Sequence, residues 1–212
     1  MSLDTEVELT VVTLGDSVLD RGHDNAFGLD PGQLLTRNAD RLFQEFHGRD
    51  LASRQPVRLD HRAIDGATVD DLPDQAVGLA TDEAAFALLS IGGNDLMAGL
   101  LADPGPGIEV FASRLERFLE MLTIRPLYVA TVYDPTVGDD RVPFLGLDPA
   151  ISRANHRRVN AVLAAAGERF GAVVDLHAHF LTGDPSWLTQ TIETSLRGTS
   201  EIRRAFLDRL VA

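Results

Sequence analysis

Cysteine is absent from this chain of 212 residues. That excludes a disulfide framework, a thiolate metal site and a cysteine nucleophile. Long apolar runs are also missing: no stretch approaches the roughly 20 consecutive apolar residues of a membrane-spanning helix. A basic leader is missing too. Asp4, Glu6 and Glu8 stand where the positive region of a secretory signal would lie, and the apolar stretch after them ends within a strand's length. The expectation is a cytoplasmic protein with no membrane partner. Positive charge is scarce, 19 basic residues against 32 acidic, for a net charge of −13. Such a surface repels phosphate backbones and anionic lipid, so nucleic acid is not expected as a partner. The acidity itself is read as solubility.

Hydrophobic residues make up 44% of the chain, and 212 residues is most simply one α/β domain spanning residues 1–212. The β-branched run at residues 10–14 reads as a buried first strand that feeds directly into Gly15-Asp16-Ser17. A helical pattern covers about 33–46, through Leu35, Leu42 and Phe46. Residues 57–64 alternate as a second strand closed by Asp65-Gly66, and a helix follows to about 79. Residues 86–91 form a third strand, closed by Gly92-Gly93-Asn94-Asp95, and the next helix runs to about 123. A fourth strand at 127–133 stops at Asp134-Pro135. A helix at 149–170, a fifth strand at 172–176 and a last helix at about 199–210 complete the order. Strands that alternate with helices, without an internal repeat, call for a parallel sheet covered on both faces.

In such a sheet, ligands bind outside the carboxyl ends of the strands. Gly15-Asp16-Ser17, Gly66 and Gly92-Gly93-Asn94-Asp95 follow strands one, two and three, so they meet on one edge. Each is also an ordinary turn sequence by itself. Together their chemistry is complementary: Ser17 offers a hydroxyl nucleophile, Gly66 a bare backbone N–H and Asn94 a side-chain amide. That set would make an oxyanion hole for acyl transfer.

With these residues in place, the chain resembles the SGNH, or GDSL-type, hydrolase family. Gly15-Asp16-Ser17-Val18-Leu19 is similar to its first block, residues 63–68 with Gly66 to its second, and Ile91-Gly92-Gly93-Asn94-Asp95 to its third. The segments Tyr133-Asp134-Pro135 and Val174-Asp175-Leu176-His177 extend the likeness over almost the whole chain. The resemblance implies a flavodoxin-like α/β/α sandwich of three layers, with a five-stranded parallel sheet in the order 2-1-3-4-5. It implies Ser17 as nucleophile, with its own N–H, the Gly66 N–H and the Asn94 amide as oxyanion donors. The Gly-x-Ser-x-Gly elbow of the α/β-hydrolases is not present, because Leu19 stands at the second glycine position.

The family's fifth block, an Asp followed three residues later by a His, is not matched. Residues 190–198 occupy its place, with Gln190 at the acid position and Glu193 at the base position, and no histidine follows His179. His177 and His179, at the end of strand five, are three strands from strand one, about 14 Å at ~4.8 Å per step. His61 falls about 13 Å short of the strand-two end. His156 is expected on a solvated helix face, and His23, six residues past Ser17, stays open as a base beside its surface reading. Glu193 is the leading substitute. A neutral Gln190 beside it avoids carboxylate repulsion and offers an orienting hydrogen bond. Burial would have to lift its pKa from the usual value of about 4.3. An ion pair with Arg197 would oppose that lift. Trp187 is read as a packing residue, with a substrate platform as the alternative.

Three functions are weighed. The leading one is hydrolysis of carboxylic esters through a Ser17 acyl-enzyme, with Ser17, Gly66, Asn94 and Glu193 as site residues and no cofactor. The low aromatic content of 6% and the lack of a lid-like apolar insertion favour small, polar esters over long-chain lipids. The alternative is a catalytically silent relative that keeps the pocket for binding. A third reading places Asp175, His177 and His179 on one face of an extended strand, where they would hold a divalent metal.

Overall fold

A computed structural model describes residues 8–79, 84–139, 141, 146–190 and 192–211. Five parallel strands, β1 (Leu9–Gly15), β2 (Val57–His61), β3 (Ala85–Ser90), β4 (Leu127–Ala130) and β5 (Gly171–Val174), form one sheet in the order β2-β1-β3-β4-β5. The expected order is the observed one. Along β1 and β3, alternate residues serve opposite faces. Val12, Leu14, Ala87 and Leu89 pack with Phe111, Leu115 and Phe118 of α4 (Gly107–Met121) and with Val159 and Leu163 of α5 (Pro149–Phe170). Val11, Phe86 and Leu88 pack on the other side, with Leu34 and Leu35 of α1 (Pro31–Thr36) and with Ile202, Phe206 and Leu207 of α7 (Leu196–Leu210). Burial on both faces explains why β1, β3 and β4 read as largely apolar runs, whereas β2, at the sheet edge, alternates and is only partly buried.

The edge that carries the site is set by β1 and β3, whose last residues, Gly15 and Ser90, are register partners. Gly15 has φ of +118°, and a Cβ there would lie 1.6 Å from the Ser90 carbonyl oxygen. Only glycine fits that backbone and that approach. The short α2 (Leu72–Gln75) supplies a clamp: the Gly15 N–H donates to Gln75 Oε1 at 2.7 Å, and Gln75 Nε2 donates back to the Gly15 carbonyl at 2.8 Å.

Several elements differ from the sequence expectation. The helix read over 33–46 is only the six residues of α1, followed by turns and a 3-10 turn at Gln44–Phe46. Asn38 diverts the chain, because its Nδ2 donates to Asp40 and to the Phe43 carbonyl while its backbone N–H donates to Asp50. Such local bonds compete with a helical ladder. The helix expected to reach residue 79 is the four residues of α2. The last helix begins earlier than expected, at Leu196, capped by the Ser195 hydroxyl, which accepts from the Gly198 N–H. Strand five ends at Val174. Asp175 then caps α6 (Leu176–Leu181), so Asp175, His177 and His179 do not share one extended face. Among the described residues no group of three His, Asp or Glu is arranged to hold a metal. An unforeseen antiparallel pair, β6 (Leu188–Thr189) and β7 (Glu193–Thr194), precedes α7. Among the described residues, no helix is long and apolar enough to cross a membrane.

Candidate active site

Ser17 lies two residues beyond the end of β1, in the turn where Leu19 N–H and Asp20 N–H donate to the Asp16 carbonyl. Asn94 sits in α3 (Gly93–Met97), which opens directly after β3 through the left-handed Gly92. Glu193 reaches the same edge from β7. Ser17, Asn94 and Glu193 line one cavity of about 100 Å³. Its wall is largely apolar, with Leu96, Met97, Leu101 and Val132, and it also includes Asp134, Arg153 and His156.

Gly66 is exposed in the turn after β2, with φ of +80° and open space around its Cα. It is not part of the cavity lining, but its turn adjoins Asn94. Asn94 Nδ2 donates to the carbonyl of the next residue, Ala67, at 2.9 Å. One amide hydrogen is thereby used to hold the side chain, and the second is left for a ligand.

Ser17 and Glu193 line the same cavity, and the Ser17 hydroxyl is near enough to favour the charged form of the Glu193 carboxylate. Burial pushes the Glu193 pKa above its ordinary value, the Arg21 guanidinium pulls it down, and the Asp65 and Asp24 charges push it up again. Arg21 is the residue that sequence reasoning missed. It is 2% exposed, and its Nη1 donates to Glu193 Oε2 at 2.8 Å and to Asp24 Oδ2 at 2.5 Å. Nη2 approaches the Thr194 carbonyl at 3.4 Å. An arginine in a turn-rich segment carries no local mark of such a role; its only signal is its spacing, four residues past Ser17. Glu193 is paired by Arg21 rather than by Arg197, which is exposed on the first turn of α7. Gln190 does not orient Glu193. It is exposed, with φ of +46°, and its backbone carbonyl accepts from Ile192 N–H.

The histidines have other partners. His61 meets the Thr13 hydroxyl at 2.9 Å through Nδ1 and faces Asp20 through Nε2 at 3.4 Å. His23 stands half-exposed between Asp24 and Asp65, 3.4 Å from each. His179 faces Glu201 at 3.2 Å and stacks on Trp187, whose ring also packs edge-on against Phe180. Trp187 thus packs against the core on the side of the sheet covered by α1 and α7, as a packing residue would. His156 is not on a solvated face: it is 8% exposed and lines the cavity, with Nε2 on the Val132 carbonyl at 2.8 Å. Burial lowers its pKa, which favours the neutral ring. The α5 face that carries it turns toward the loop after β4, where Asn160 also bonds Val132.

Asp16 is 2% exposed beside Ser17, and burial lifts its carboxyl to about 7. That value would suit a base, but the geometry turns its Oδ1 to the wall, where it accepts from the Val18 N–H and the Ser90 hydroxyl, each at 3.2 Å. Tyr133 closes the floor, its hydroxyl donating to the Ile192 carbonyl at 2.6 Å.

Similar folds carry related names. A lipolytic protein of the G-D-S-L family from Veillonella parvula superposes with a TM-score of 0.66 at 17% identity, over 96% of this chain and 98% of that one. The acetylxylan esterase Axe2 from Geobacillus stearothermophilus gives 0.68 at 18% identity, over 98% and 96%. LAE5, an α/β hydrolase enzyme from the metagenome of Lake Arreo, Spain, gives 0.62 at 23% identity, over 98% and 97%. No curated protein sequence matches significantly. The model of the GDSL-like lipase/acylhydrolase family matches residues 13–195, most of the chain and every strand end described above. The chain belongs to the GDSL-like lipase/acylhydrolase family, and is an enzyme of the esterase and acylhydrolase class.

Proposed function

We propose that the protein hydrolyses carboxylic esters of short acyl groups, with Ser17 as nucleophile and Glu193 as general base. The observation that carries this reading is that Ser17, Asn94 and Glu193 line one cavity, with the Ser17 hydroxyl near enough to Glu193 to act on its charge. As Ser17 Oγ bonds to the ester carbonyl carbon, its proton passes to Glu193. The tetrahedral oxyanion is held by the Ser17 and Gly66 backbone N–H groups and the free hydrogen of Asn94 Nδ2. Collapse breaks the bond to the alcohol oxygen, which takes the proton from Glu193 as it leaves. Water then attacks the acyl-enzyme, gives its proton to Glu193 and releases the acid, and the proton returns to Ser17.

A glutamate is ordinarily too weak a base for this step, and the raised pKa of the half-buried Glu193 narrows the gap. A cavity of about 100 Å³ suits a small acyl group better than a long chain. The acetylxylan esterases of similar fold act on acetyl esters by name, and one Geobacillus structure is a serine-to-alanine catalytic mutant, both consistent with this chemistry.

The alternative, a binding protein that keeps the pocket, draws support from the Arg21–Glu193 ion pair, which favours a charged, immobile carboxylate. Hydrolysis of p-nitrophenyl acetate separates the two. Wild type should turn over, Ser17→Ala should be inactive, and Glu193→Gln should lose at least about 100-fold in kcat. Equal rates for wild type and Ser17→Ala would favour the binding reading. Hydrolysis of the palmitate ester without the acetate ester would reverse the preference for short chains.

A further inference from the structure

Arg21 poses a contradiction within the site. Its guanidinium fixes the Glu193 carboxylate, yet a full positive charge at 2.8 Å would make that carboxylate a poor proton acceptor. The same Nη1 atom resolves it. One of its hydrogens goes to Glu193 Oε2 at 2.8 Å and the other to Asp24 Oδ2 at 2.5 Å. The three side chains form a carboxylate–guanidinium–carboxylate row with one net negative charge.

The row is built into the chain that follows the nucleophile. Arg21 and Asp24 belong to one 3-10 turn, closed by the Asp24 N–H donating to the Arg21 carbonyl at 3.1 Å. Among the described residues Arg21 Nε is buried without a partner, and the guanidinium is held through its two terminal nitrogens. The charged and polar groups around Glu193 are Arg21 and Asp24 from this turn, Ser17 and Asp16 from the end of β1, Asp65 from the turn after β2 and Tyr133 from the loop after β4. His23 faces both Asp24 and Asp65.

We propose that Asp24 is a positioning residue that shares the Arg21 guanidinium with Glu193, so that Arg21 orients the base without stripping it of basicity. This rests on the assignment of Glu193 as general base. Without Asp24, the whole charge of Arg21 falls on Glu193. Its pKa drops, the acid limb of the pH profile moves down, and the weaker base lowers the plateau. Without Arg21, two carboxylates and the Asp65 charge remain, and the limb moves up.

The test is the pH dependence of kcat/KM for p-nitrophenyl acetate in wild type, Asp24→Asn, Asp24→Glu, Arg21→Met and Glu193→Gln. The acid limb of Asp24→Asn should lie about one pH unit below that of wild type, with a plateau about 10-fold lower. Asp24→Glu should restore both, and Arg21→Met should move the limb in the opposite direction. A purely structural role would lower rates without moving the limb. If Asp24→Asn does not fold, an unmoved limb in Arg21→Met overturns the proposal by itself. An inactive Glu193→Gln together with an unmoved limb in Asp24→Asn overturns the proposal and leaves the base assignment standing. A wild-type rate and limb in Glu193→Gln removes both.

Discussion

Asn94 gives one Nδ2 hydrogen to the Ala67 carbonyl at 2.9 Å, so its amide is already oriented before any ligand arrives. A pre-aimed donor stabilises charge that develops in the transition state more than it stabilises the neutral ester. Asn94→Ala should therefore lower kcat by about 10²–10³-fold with little change in KM, which steady-state kinetics on the acetate ester will show. A loss confined to KM would remove the oxyanion role. That Ser17, Asn94 and Glu193 would come together was legible in the sequence, because each sits at a strand end or in a short block whose spacing carries its own signal, and the three do line one cavity. Arg21 and Asp24 were not legible there. Their role depends on Glu193, more than 160 residues away, and on which carboxylates share one guanidinium nitrogen; no local pattern encodes that. His156 was misread for a related reason. A histidine in a long polar helix looks solvated until the fold sets that turn against the Val132 carbonyl.

Where α1 ends, the chain could have continued as a helix, since the apolar spacing of Leu35, Leu42 and Phe46 allows it. Tertiary contacts decide otherwise. Arg203 of α7 is 1% exposed, its Nη1 donates to Asn38 Oδ1 at 2.9 Å, and its guanidinium lies 3.3 Å from the Phe46 ring centroid. Nη2 is held by the Ser200 hydroxyl at 2.5 Å, and burial lowers the Arg203 pKa to about 10. The charge is thus desolvated but surrounded by acceptors and an aromatic face, and it ties the 37–50 segment to α7. The central strands β1, β3 and β4 were readable from their own sequence because both faces are buried, whereas this segment takes its shape from Arg203, more than 150 residues later. Arg203→Ala should cost about 3 kcal/mol, from the lost cation–π contact, the void and the unpartnered Asn38 oxygen. The midpoint of urea unfolding measures it. Arg203→Lys should recover less than half, because an ammonium cannot present the planar fork. Full recovery by lysine would show that charge alone holds the segment.

On the scale of the whole molecule, two effects make stability depend on pH in the same direction. All nineteen basic residues are arginine, and most of their pairs, such as Arg158 with Glu109 and Arg169 with Glu120, are exposed and contribute little. The larger lever is buried. Asp16 and Asp95 carry carboxyls that burial raises from 3.8 to about 7 and about 6. Between the ordinary value and these raised ones, the folded chain binds more protons than the unfolded chain. Stability must then fall as pH rises through that window, and level off above it. For Asp16 the loss is on the order of a few kcal/mol. The net charge of −13 works in the same direction, because self-repulsion grows as carboxylates ionise. Salt separates the two, since it screens the surface charge and leaves a fully buried carboxyl almost untouched. Chemical unfolding from pH 4.5 to 8 at high salt should still show a stability decline in wild type. Asp16→Asn keeps an acceptor for the Val18 N–H and the Ser90 hydroxyl but cannot ionise, so its decline should be much shallower and its stability at pH 8 at least that of wild type. A decline as steep as that of wild type would mean that Asp16 ionises without cost, and that the conflict between burial and charge beside Ser17 lies elsewhere.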